Sequence, residues 1–176
     1  MATFGKTDDG ASTTASSTDR KYVSAATPAT SGTITSASGR IWLSAAGTGH
    51  GKFIIYEDLV GVPGALFAVS DEFTYTDTTE VVQTANFTGA YLNKAIVGST
   101  QYWIGVHMED PGTPSFTISR ANTSNVVSRS ADTYSDGPTD PFGVPTTENG
   151  PLDIYVTYAE NATGRDLTRM SLLGVA

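Results

Sequence analysis

The chain has 176 residues and a formal net charge of −8, from 18 acidic and 10 basic side chains, and it has no cysteine. Its length fits one domain with a continuous core. The acidic balance, with basic residues scattered singly apart from Arg20-Lys21, speaks against nucleic-acid binding, and the missing thiols remove disulfides and cysteine metal sites.

In chain order, Phe4-Gly5 reads as a short anchoring strand whose aromatic ring covers one end of a core, followed by a polar loop, TDDGASTTASSTD. Residues 20–27 and 32–45 are strand candidates, the second bending near Gly39, with Ile41 and Leu43 alternating against Trp42. Gly47 to Gly51 has the glycines of a phosphate loop but neither the lysine-serine/threonine ending nor a helix after it, so it is a turn. The stretch 51–70 is a β-hairpin: Phe53 and Ile55 share one face, Lys52, Ile54 and Tyr56 the other, and Ala65, Phe67 and Val69 alternate with Leu66, Ala68 and Ser70. Apolar residues on both faces suit a central strand pair, and Val62-Pro63-Gly64 suits a type II turn.

Residues 73–87 split near Asp77-Thr78 into two strands. In QYWIGVHM, residues 101–108, Tyr102, Ile104, Val106 and Met108 oppose Trp103, Gly105 and His107. SFTISRA and VVSRSA follow as separate strands. Residues 132–150, with Pro138, Pro141 and Pro145, show no apolar period and read as a long loop. In PLDIYVTYA, Leu152, Ile154, Val156 and Tyr158 lie on one face of the last core strand. No stretch carries a helical period with caps. The expected fold is all-β, an antiparallel β-sandwich of jelly-roll type with about eight to ten strands, whose core includes Phe53, Ile55, Phe67, Ile104, Val106, Ile154 and Val156. Its domain spans 1–158, with a C-terminal arm over 159–176.

Candidate chemistry is sparse. Asp132, Asp136 and Asp140 are oxygen ligands in a turn-rich loop, a pattern open to calcium or to ordinary solvated turn chemistry. His50 and His107 are too few for a three-histidine zinc site, and no serine sits in a nucleophile elbow. Trp42, Trp103, Tyr22, Tyr75, Tyr91 and Tyr134 could form a sugar-stacking platform, or fill the core or a subunit contact. The expectation is a chain without enzymatic activity or cofactor. No run approaches the roughly 20 apolar residues of a membrane span, and the start has no basic and apolar signal pattern, so synthesis in a cytoplasm without membrane association is expected. In the arm, Leu167, Met170, Leu172, Leu173 and Val175 are apolar while Glu160 and Asp166 balance Arg165 and Arg169, a composition suited to docking on a partner or packing back on the body.

Phe4-Gly5, Ile55-Tyr56-Glu57-Asp58, Gly61-Val62-Pro63-Gly64-Ala65-Leu66, Tyr102-Trp103-Ile104-Gly105-Val106, Asp140-Pro141-Phe142-Gly143 and Leu152-Asp153-Ile154-Tyr155-Val156, taken in order, resemble the β-sandwich domain of tailed-bacteriophage virion proteins. The resemblance runs from about Phe4 to Tyr158 and has no catalytic motif to transfer. It implies a virion structural protein. A single sandwich with a short arm is more similar to a capsid decoration, or cement, protein on the capsid exterior than to a fibre. Such a protein would bind the major capsid protein and form a homo-oligomer, a trimer being one candidate. The alternative is a tail-associated carbohydrate-binding or host-recognition module.

Overall fold

The computed structural model describes residues 1–161 apart from 17, 111 and 113. The arm residues Leu167, Met170, Leu172, Leu173 and Val175 therefore lie outside the described residues. Among the described residues there are twelve strands: β1 (Ala2–Gly5), β2 (Ser12–Ser16), β3 (Arg20–Ala26), β4 (Gly32–Leu43), β5 (Gly49–Asp58), β6 (Pro63–Tyr75), β7 (Val82–Asn86), β8 (Ala95–Ile96), β9 (Tyr102–Met108), β10 (Phe116–Ala131), β11 (Thr146–Leu152) and β12 (Ile154–Glu160). The only helical turns among them are single 3₁₀ turns at Gly89–Tyr91 and Tyr134–Asp136. The fold is all-β and antiparallel, as the alternation predicts.

The strands form one continuous sheet along the path β1-β12-β4-β10-β3-β9-β5-β6. Strand β7 and the two-residue β8 pair with β4, and β2 and β11 pair with β10. The sheet curls over on itself because β4 serves both layers. Its residues from Gly32 to Gly39 pair with β12, and Ile41, Trp42 and Leu43 pair with β10. Between the layers lies the main core, in which Ile34, Ala37, Ile154 and Val156 from one side meet Phe53, Ile55, Phe67, Ile104 and Val106 from the other. All seven side chains expected in the core are there. Phe4 is buried and packs on Tyr102 and Tyr158, with ring centroids 6.2 and 5.9 Å away.

A buried carboxylate fixes the junction of β11 and β12. Asp153 pairs with Lys6 (Nζ to Oδ1, 2.9 Å) and accepts the Gly10 N–H and the Ser119 hydroxyl. Its backbone bonds Ser119 and Arg40, so the β1–β2 connection, β10 and β4 are tied at one point. A charge held this way is costly to strip of its partners.

Several sequence expectations are corrected. The polar run after Gly5 contains β2, and the proline-rich stretch contains most of β11; both pair with β10, so backbone hydrogen bonding orders them without an apolar period. SFTISRA and VVSRSA are one strand, β10, whose register with β11 slips on both sides of Thr123. Residues from Asp71 to Tyr75 continue β6. The hairpin is not a central pair, since β6 ends the sheet path.

The hairpin turn is centred on Val60-Gly61, with φ of 54° and 85°, not on Pro63-Gly64. Leu59 donates its N–H to the Val62 carbonyl, 2.8 Å away. Two positive φ angles make a primed turn, whose twist matches the flanking strands. Glycine suits the second position, but a β-branched residue in the left-handed region is strained. Val60 is 95% exposed and gains nothing from packing. Val60→Asn is therefore expected to stabilise the protein by about 1 kcal/mol, seen as a higher urea midpoint with unchanged slope; no increase would place the turn elsewhere.

Candidate functional site

On the outer face of the β3-β9-β5-β6 layer, period-two alternation and the strand registers place side chains in three transverse rows. Lys21, His107, Lys52 and Glu72 stand opposite one another in turn; Val23, Gly105, Ile54 and Val69 make the next row; Ala25, Trp103, Tyr56 and Leu66 the third. One row is polar and its neighbours are largely apolar. The segment from Asp132 to Pro145 lies across all three as a strap.

Phe142 is the strap's apolar anchor. It is fully buried in a second hydrophobic cluster with Val23, Ile54, Tyr56 and Trp103, its ring edge-on to Tyr56 at 5.0 Å. Burying a phenylalanine is worth about 1.5–3 kcal/mol. Three hydrogen bonds set the register of the strap: Phe142 N–H donates to Gly64 O at 3.0 Å, Leu66 N–H to Asp140 Oδ1 at 2.9 Å, and the Tyr56 hydroxyl to Thr139 O at 2.7 Å.

The polar row meets the other half of the strap. Lys21 is fully buried and gives its amine to Asp132 Oδ2 at 3.0 Å, Thr139 Oγ1 at 2.5 Å and Phe142 O at 2.9 Å. The ring of Phe142 lies 4.7 Å from the amine. The Asp132 side chain is 5% exposed, and Thr139 N–H donates to the same Oδ2 at 2.9 Å. His107, also fully buried, faces this pair, with Nε2 3.4 Å from Asp132 O and 4.0 Å from its Oδ2; Nδ1 has no hydrogen-bond partner among the described residues. Tyr134 closes the row. Its ring sits 5.0 Å from that of His107, its hydroxyl donates to Glu72 at 3.0 Å, and its N–H donates to Asp19 at 2.8 Å.

Burial dominates the electrostatics. It pulls the Lys21 amine below its ordinary range, against the pull of Asp132, and pushes the Tyr56 and Tyr134 hydroxyls well above theirs. It also lowers His107, with Lys21 acting in the same direction and Asp132 opposing. The site thus holds an amine, a carboxylate and a neutral imidazole together, away from water.

The three strap aspartates do not converge on a common cation position. Asp132 faces Lys21, Asp140 takes the Leu66 N–H, and Asp136 is exposed beside Ser135. Among the described residues no cluster of three or more acidic, histidine or cysteine side chains could hold a metal ion. The aromatic residues are dispersed too. Tyr22, Tyr75, Trp103 and Tyr134 are buried, and Trp103 spends its indole N–H on Asp58 Oδ1 at 2.8 Å; Trp42 and Tyr91 are half-buried. His50 lies outside the strap, 3.4 Å from Glu72. Sequence reasoning misses Lys21 and His107 as a pair. Their one signal is that each interrupts the outer face of an otherwise apolar strand, and only the register makes them neighbours.

Because His107 is buried below its ordinary value of 6.5, the unfolded chain takes up its proton first as pH falls. The stability contributed by neutral His107 is complete above pH 6.5 and is lost on acidification below it. The denaturation midpoint of the wild type is expected to fall more steeply below that pH than that of His107→Gln; parallel profiles would show that His107 does not titrate unfavourably.

Comparison with protein-family models, curated proteins and solved structures returns no match to this chain.

Proposed function

We propose that the chain is a non-enzymatic structural protein of a tailed-bacteriophage virion, a capsid decoration protein that binds the major capsid protein and assembles as a homo-oligomer on the capsid exterior. The jelly-roll assignment belongs to the same proposal. The observation that carries it is an apolar rim at one end of an acidic sandwich. Leu59, Val60 and Val62 at the hairpin tip are 61%, 95% and 41% exposed, and Val97 is 57% exposed.

These residues share one end of the molecule. Asp58, at the base of the tip, accepts from Gln101 Nε2 at 2.7 Å. Gly98, beside Val97, donates its N–H to Ser31 Oγ, and Asn161 N–H donates to Ser31 O. The chain thus enters its apolar last segment, with Leu167, Met170, Leu172, Leu173 and Val175, from the rim that already exposes apolar surface. Exposed apolar side chains gathered at one end of a domain are the kind of surface that marks contact sites. A weak contact per copy becomes firm attachment when repeated over a symmetric assembly. Carbohydrate recognition draws less support, since most of the rings that would stack on sugar are buried.

A chain ending at Glu160 is expected to keep its thermal transition within a few degrees while failing to sediment with capsids, and Leu59→Asp with Val97→Asp to weaken sedimentation of the full chain. Undiminished sedimentation of both variants would contradict the proposal, as would saturable binding of the full chain to cell-wall polysaccharide with none to capsids.

A further inference from the structure

We propose that Lys21 and Asp132 join covalently, the lysine amine and the aspartate carboxyl condensing to an intramolecular amide that staples the strap to β3. The nucleophile is already held against the electrophilic carboxyl group, with Nζ 3.0 Å from its Oδ2. Both side chains are shielded from solvent, and Phe142 and Tyr56 present their rings to the amine. Thr139 Oγ1 and Phe142 O hold the amine from the other sides, so it cannot swing away. Reacting groups fixed at contact distance gain effective molarities of about 10⁵–10⁸ M over the same groups free in solution.

The environment favours the nucleophilic form of the amine. In a low-dielectric pocket an ammonium and a carboxylate are both penalised, and a proton moving along their contact leaves a free amine and a carboxylic acid. Burial biases Lys21 toward that free amine. The Nζ lone pair then forms a bond to Cγ. As it does so the nitrogen gives a second proton directly to Oδ2, with which it is already in contact at 3.0 Å. The Cγ–Oδ2 bond breaks with its electron pair on oxygen, and Oδ2 leaves as water. Thr139 N–H, already donating to Oδ2, stabilises charge there as the bond lengthens. Of the three ammonium protons, two leave in the water and one remains on the amide nitrogen, so the condensation balances without any co-reactant. The product is neutral, which removes two buried charges at once. In a chain without cysteine, such a link would supply the covalent brace that a disulfide gives elsewhere.

The test is the mass of the purified full-length wild-type protein, with peptide mapping after proteolysis. The expected result is a mass lower than the sequence mass by one water, and a branched peptide joining the segment around Lys21 to the segment around Asp132. Lys21→Met and Asp132→Ala should each show their full sequence mass. A folded wild-type protein with its full sequence mass, and no branched peptide after prolonged incubation, would overturn the proposal and leave an ion pair only.

Discussion

A lysine amine removed from water must find acceptors for its protons, and Lys21 takes all three from one segment, through Asp132, Thr139 and Phe142. The outer face of the layer depends on that arrangement. Without the strap, Val23, Ile54, Tyr56 and Trp103 would face solvent together, with the polar row of Lys21 and His107 beside them. With it, the layer is buried on both sides, and every residue of β9 is buried. The strap has little apolar content of its own beyond Phe142. Its order comes from polar bonds, the strongest of them those that Lys21 makes out of contact with water.

Asp153 applies the same device at another place. There the buried charge is the carboxylate, and Lys6, Gly10 and Ser119 come to it from the start of the chain and from β10. The two clusters explain how segments rich in serine, threonine, glycine and proline become ordered in a domain with one main core. Each brings a polar segment to a single charged side chain that the sheet holds in place. Removing either partner would leave a charge in a low-dielectric setting, a loss of about 3–5 kcal/mol.

Strand alternation made the core legible in the sequence. Ile154, Val156 and Tyr158 read as one face and are buried as one face of β12, while Leu152, read as part of the same strand, is buried at the end of β11; Tyr102, Ile104, Val106 and Met108 read and are buried as one face of β9. What alternation cannot carry is register. Lys21, His107 and Lys52 lie far apart in the chain, and nothing local says that β3, β9 and β5 will set them side by side. Strands β2 and β11 were hidden because they pair through backbone along β10 and need no apolar period. The turn was misplaced because Pro63-Gly64 carries the stronger turn signal, while the chain tolerates a strained Val60 before Gly61. The apolar residues of the final segment stand out in composition alone, and that leaves open what they touch.

What orders the outer face is the locking of the strap to the sheet through Lys21 and Asp132. Amide hydrogen exchange, resolved by residue in the folded protein, tests it most directly. The Thr139 and Phe142 amides, which donate to Asp132 and to Gly64, should exchange as slowly as amides of the neighbouring strands, and in Asp132→Ala they should exchange much faster while the amides of β5 and β9 stay protected. Exchange of Thr139 and Phe142 in the wild type at the rate of an open loop would contradict the claim.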